Sequence, residues 1–232
     1  MTYDAVIEAL YDLADCQKIA EREKKFGIIS QNALGITHRD LNLIAKEIGK
    51  DDDLAHRLFD SGIYEGKLLC AKIHRPKSVT DALCEQWVKV FDNWEICDAF
   101  CMGQIGRSPL AVKKINEWAF RTAEFEKRAA FATLAALCMA DKKAENEVFE
   151  AFFPLLKSAA SDERLYVKKA VSWALRGIGK RNPDLREHAV ELAEELEERP
   201  ERSAVWIAKD VLRELTANQV RSADYPRSIY RP

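Results

Sequence analysis

Glycine and proline are scarce in this chain, nine and seven among 232 residues. That excludes collagen-like sequence and long stretches of coil. No run approaches the roughly 18 apolar residues that span a bilayer. The first segment, MTYDAVIEALYDLADCQ, is acidic and amphipathic, where a secretory leader would be basic and then apolar. A cytoplasmic protein with no membrane partner is expected. The six cysteines, 16, 70, 84, 97, 101 and 138, form no C-x-x-C pair and sit in apolar, helix-like stretches. Free thiols packed as small hydrophobes follow from that placement. Cys97 and Cys101 lie four apart, but the four histidines are scattered, so no metal-site spacing is complete. An excess of charge of one sign is also lacking, since the net charge is −2.

What is present is an ordinary core-forming composition, 47% apolar and 32% charged. The charge is unevenly spread. Residues 105–181 carry fifteen Lys/Arg against nine Asp/Glu, a local charge of +6, whereas 187–201 carries seven Glu. The acidic run reads as a solvated helix face. The basic stretch reads either as that or as a surface for a polyanion.

Helical periodicity dominates almost everywhere. The pattern predicts about twelve helices: 3–25, 38–49, 51–61, 64–74, 79–90, 92–105, 109–121, 125–140, 144–160, 162–180, 183–198 and 202–216. Thr37 with Asp40, and Ser78 with Asp81, have the spacing of helix-start capping pairs. Ser108-Pro109 and Asn182-Pro183 each place a capping side chain before a proline suited to the first helical position. No segment alternates long enough to make a strand. Short loops imply antiparallel neighbours. KRAAFATLAAL (127–137), KKAVSWALRGI (168–178) and IAKDVLREL (207–215) share an apolar seam, with Arg176 and Arg213 37 residues apart and Arg128 41 before Lys169. Units of about 40 residues are those of HEAT or armadillo arrays. The expected architecture is all-α: a curved α-solenoid of about six HEAT-like pairs over 1–217, with an irregular tail at 218–232.

Two helices carry residues that such an array does not require. In 162–180, Val167, Val171, Leu175 and Ile178 fall within about 40° of one line. Lys169, Trp173, Arg176 and Lys180 point about 140–200° away. That face either packs on another helix, with its cations reaching to solvent, or offers phosphate and base contacts to a nucleic acid. In 92–105, Trp94 and Asp98 share a face opposite Ile96, Ala99 and Phe100. An Asp so placed is either paired with a base or kept for chemistry.

The segments FDNWEICDAF, FEKRAAFATLAAL and VKKAVSWALRGIGKRNPD resemble, in order and separation, three signatures of the AlkD family of DNA alkylation repair proteins. A looser likeness runs from the LGI at 34–36 to the LREL at 212–215. The resemblance implies a stack of HEAT-like repeats whose concave face holds duplex DNA. It implies that Asp98, four after Trp94, is the catalytic carboxylate, and that Arg128, Trp173 and Arg176 are the matching DNA-site residues. Asn93 stands where relatives often have a second aromatic, and Ala135 and Ala136 where another basic residue is expected.

Under that resemblance, Asp98 stabilises the sugar cation left when an N3- or N7-alkylated purine departs, and orients the attacking water. Trp94 and Trp173 face the charged base. Arg128 and Arg176 hold phosphates, with Lys169 and Lys180 beside them. Neither a metal nor an organic cofactor is needed. The expected partner is double-stranded DNA with alkylated bases, bound by a cytoplasmic monomer that joins the nucleoid during repair. The alternatives are a non-catalytic nucleic-acid-binding module and a protein-interaction scaffold.

Overall fold

The structure, a computed structural model, describes residues 1–218, 220 and 222–226. Among these there are fourteen α-helices and no strand. None of the helices is long and apolar enough to cross a membrane. Within the span expected as one repeat domain, packing divides the chain into two compact units, residues 1–108 and residues 109 onward.

The first unit contains α1 (Tyr3–Asp12), α2 (Cys16–Phe26), α3 (His38–Ile48), α4 (Asp52–Asp60), α5 (Tyr64–Ile73), α6 (Asp81–Val88) and α7 (Trp94–Gly103). Short 3-10 turns occupy Pro76–Ser78 and Ile105–Arg107. α5 is its axis: eight of its ten residues are buried, and it packs on α3, α4 and α7. Gly103 lets α7 come close, because a Cβ there would lie 2.5 Å from the Ala71 carbonyl oxygen.

The expected helix 3–25 is broken at Leu13–Asp15. Asp15 caps α2 with its side chain, and its N–H donates to the Leu34 carbonyl at 2.7 Å, so the residue is pinned outside helical geometry. Gly35 next to it has φ +79°, and a Cβ there would come within 2.0 Å of the Asp15 carbonyl oxygen. Only glycine fits that crossing. The fully buried Glu65 carboxylate then grips the loop, accepting from the N–H groups of Leu34, Gly35 and Ile36 at 2.8, 3.0 and 3.3 Å. Arg22 neutralises it at 3.2 Å. The loop therefore delivers Thr37 as the cap of α3. Its hydroxyl accepts from the Asp40 N–H at 3.2 Å and donates to the Asp40 carboxylate at 2.6 Å, as the capping pair predicts.

The second unit contains α8 (Ala111–Trp118), α9 (Glu124–Ala140), α10 (Asn146–Glu150), α11 (Phe153–Ala159), α12 (Leu165–Gly179), α13 (Pro183–Glu197) and α14 (Arg202–Leu215). α12 is central and packs on α9, α11, α13 and α14. The three segments whose seams match in sequence thus lie side by side as α9, α12 and α14. Val167, Val171, Leu175 and Ile178 have no exposed surface. Burial of each contributes about 1.5–3 kcal/mol.

Other sequence expectations are corrected by local chemistry. Helix 144–160 is two helices, because Pro154 sits in the first turn of α11 and has no N–H to donate to the Glu150 carbonyl at the end of α10. The cap of α6 is Thr80, which accepts from the Leu83 N–H at 3.2 Å, and Ser78 falls in the preceding 3-10 turn. Ser108 does not cap α8: its hydroxyl donates to the Ile105 carbonyl at 2.8 Å, and the helix begins at Ala111. Asn182 does cap α13, accepting from Leu185 N–H at 2.9 Å, with Pro183 in the first turn. Of the expected irregular tail, the parts at 219, 221 and 227–232 lie outside the described residues. Ala223 and Tyr225 N–H groups donate to the Lys180 and Arg181 carbonyls at 2.8 and 2.7 Å, which holds that part of the tail to the end of α12.

Candidate active site and nucleic-acid surface

α7 starts where Asn93 turns its side chain onto the Ile96 N–H at 3.1 Å. That capping bond accounts for Asn at a position where an aromatic was expected. Ile96, Cys97, Phe100 and Cys101 are buried, which turns Trp94, Glu95, Asp98, Ala99 and Met102 toward an open cavity of about 520 Å³. The two sequence-selected residues, Trp94 and Asp98, therefore share one wall. Ala99 belongs to that wall as well, and not to the opposite face.

The cavity brings three cations to two carboxylates. His38, Lys50, Lys72 and Arg107 line it against the carboxylates of Glu95 and Asp98. Lys50 donates to the Lys72 and His74 carbonyls at 2.8 and 3.0 Å. Burial, then the Arg107 charge, hold its ammonium below the usual lysine pKa range. Burial lowers Lys72 in the same sense, and Glu95 opposes the shift. A site that makes cations harder to maintain is one that an added anion stabilises. Trp94 is half-buried; its indole N–H donates to the Phe26 carbonyl at 3.3 Å, and the Phe26 ring meets it edge-on at 6.1 Å.

Sequence reading missed Glu95 and His38. Glu95 accepts from the Tyr64 hydroxyl at 2.5 Å and from His38 Nε2 at 2.8 Å, with Arg22 Nη1 at 3.9 Å. Burial pushes its carboxyl up, but those hydrogen bonds and the Arg22 charge together hold it below the usual glutamate range. Glu95 therefore stays ionised. Burial, and next the Glu95 charge, push the Tyr64 phenol far up, so it remains a donor. Glu95 lies three before Asp98, a spacing that puts both on one helix face. That much was readable. The arrival of His38 from 57 residues away was not.

The remaining candidates belong to the second unit. Trp173, Arg176 and Lys180 come together on a smaller cavity of about 210 Å³, with Met139, Arg181 and Tyr225. Arg176 is paired with Asp210 at 3.3 Å and with Glu214, and Lys180 is also paired with Glu214. Part of this face is thus packed on α14, with its charge already matched. Lys169 is exposed. Arg128 is buried at 6% exposure and donates to the Tyr166 carbonyl at 2.8 Å, joining α9 to the first turn of α12. Arg181 had no sequence signal. It is 1% exposed, donates to the carbonyls of Cys138, Asp141 and Ala144 at 2.6, 2.7 and 3.0 Å, and closes the C-terminal end of α9. Among the described residues no cluster of His, Cys, Asp and Glu could hold a metal ion.

A solved structure described as belonging to "a new family of proteins related to the HEAT-like repeat DNA glycosylases with affinity for branched DNA structures" is similar over 98% of this chain and 100% of its own, with a TM-score of 0.75 at 17% identity. At that identity the likeness is one of fold, a HEAT-like helical repeat. An engineered protein (TM-score 0.45, 15% identity, 93% of this chain and 92% of its own) and a designed armadillo repeat protein (0.34, 15%, 76% and 92%) also match. No curated protein matches the sequence. Residues 6–221 match the family described as DNA alkylation repair enzyme, and the chain, with its sequence signatures borne on a HEAT-like helical fold, belongs to that family.

Proposed function

We propose that this protein releases cationic N3- or N7-alkylated purines from duplex DNA by hydrolysis of the N-glycosidic bond. The observation that carries the reading is the shared wall of Trp94 and Asp98 on a cavity that Lys50, Lys72 and Arg107 also line. An alkylated purine is already positively charged, so it leaves as a neutral molecule without a general acid. The remaining demand is stabilisation of a cationic sugar, which a fixed carboxylate supplies. Trp94 offers a π-face to the charged base. Lys50, Lys72 and Arg107 suit the phosphates flanking the lesion. In the second unit, Trp173, Lys169, Arg176 and Lys180 are the residues suited to DNA contact. Arg128 contributes by fixing the first turn of α12.

The test is single-turnover release from methylated duplex. Asp98→Asn keeps shape and hydrogen bonding but removes charge; release is expected to fall about 10²–10³-fold with duplex affinity and melting temperature unchanged. A variant that melts early without a specific loss of release would show that Asp98 is structural.

A second reading has its own support. Arg176 and Lys180 already have acidic partners on α14, and the similar structure is described by affinity for branched DNA. A protein that binds DNA without cutting a glycosidic bond fits both facts. Wild-type protein that retains branched duplex but releases no methylated purine would establish it.

A further inference from the structure

We propose that His38, held by Glu95, is a second catalytic residue of this cavity and accepts the proton of the attacking water. The inference rests on the base-release reading above and adds to it a group outside the three sequence signatures.

The geometry is that of an oriented base. Glu95 has a side chain only 10% exposed, and Tyr64 and His38 fill its two oxygens. An ionised carboxylate only accepts, so His38 Nε2 carries the hydrogen. In the neutral ring the other nitrogen, Nδ1, then holds a lone pair. His38 has no other hydrogen-bonding partner among the described residues, its side chain is 54% exposed, and it lines the cavity that Asp98 lines. A buried carboxylate fixing the tautomer of a histidine, and stabilising it once protonated, is the division of labour in hydrolytic triads.

The chemistry needs such a group. When the C1′–N bond breaks, its electron pair leaves with the base, which departs neutral. Water forms the new C1′–O bond and must lose a proton. If Asp98 took that proton, it would cancel the negative charge that stabilises the sugar cation. His38 Nδ1 takes it instead, leaves Asp98 ionised, and returns it to solvent after turnover. Charged residues that line the two cavities with His38 are Glu95 and Asp98 of α7, Lys18, Glu21, Arg22 and Lys25 of α2, Lys50 before α4, Lys72 of α5 and, beyond α7, Arg107.

The experiment is single-turnover release from duplex DNA carrying one N7-methylguanine, from pH 5 to pH 8. His38→Gln retains a donor for Glu95 but has no basic nitrogen. Release is expected to fall about 10²-fold, to lose the acid limb of the wild-type profile, and to leave duplex affinity unchanged. In His38→Ala, added imidazole is expected to restore release in proportion to its neutral fraction. Wild-type rate and pH profile in His38→Gln would overturn the proposal. So would a loss that imidazole does not rescue, accompanied by a lowered melting temperature, because His38 would then only staple α3 to α7. Absence of release from wild-type protein would overturn the base-release reading itself, a result distinguishable because no variant is involved.

Discussion

Among single residues, two of the four histidines contrast: His38 faces a cavity, and His74 is kept neutral by the core. His74 is 1% exposed, stacks on His56 at 5.2 Å and meets Trp87 edge-on at 5.3 Å. Burial is the main cause that lowers its pKa below the ordinary value of 6.5; His56 adds to the shift, and Asp52 opposes it. In the unfolded chain the same ring titrates near 6.5. As pH falls below that value the unfolded state takes up the proton first, so stability declines, whereas above it His74 contributes no pH dependence. Melting temperature is therefore expected to drop between pH 7 and pH 5, and His74→Gln to show a flatter profile over that window. An equally steep profile in the variant would assign the acid sensitivity to carboxylates. Site residues were legible at this scale when they lay on one helix. Trp94 and Asp98 are a single turn apart, so periodicity alone pairs them. His38 and Glu95 meet only because a loop carries one to the other.

The deciding element is that loop, between α2 and α3. Its backbone donors are satisfied by Glu65, a side chain on α5 with no exposed surface. Three N–H groups and Arg22 depend on one carboxylate. Glu65→Ala leaves Arg22, only 11% exposed, with the more distant Glu95 carboxylate at 3.9 Å, and breaking a buried pair costs about 3–5 kcal/mol. The denaturant midpoint is expected to fall accordingly, and any folded fraction to lose the His38–Glu95 contact. A change under about 1 kcal/mol would mean that water replaces Glu65. Helix existence was readable at this scale because apolar spacing repeats every turn. The breaks at residues 13–15 and 151–152 were less so. The first is set by a partner of Asp15 nineteen residues away, at Leu34, and the second by a proline one residue into a helix whose periodicity continues across it.

For the whole molecule, net charge and local charge point in different directions. The chain carries −2 overall, while the cavity beside Asp98 gathers Lys50, Lys72 and Arg107. Affinity for undamaged duplex is expected to come from those local contacts and so to depend on salt. With about three phosphates neutralised, the logarithmic slope is about −2.7, so a fourfold rise in salt weakens binding about 40-fold. Fluorescence anisotropy across a salt series checks this, and affinity indifferent to salt would favour a protein-interaction scaffold. The pairing of Arg176 and Lys180 with Asp210 and Glu214 reduces what α12 can add. That pairing could not be read from spacing, because it joins residues 34 to 38 apart on two helices.

The sequence by itself determined the all-helical class, the repeat spacing of α9, α12 and α14, and the family through three signatures. Each of these is local: a seam recurs every turn, a unit recurs every forty residues, and a signature is contiguous. Tertiary structure alone decided which charges remain available and which are matched. It closed Arg176 and Lys180 against α14, buried Arg128 and Arg181 on backbone carbonyls, and set Lys50, Lys72 and Arg107 along one cavity, Lys50 and Arg107 also donating to backbone carbonyls. A cation's role depends on the acceptor it reaches, and in this protein those acceptors lie in other helices.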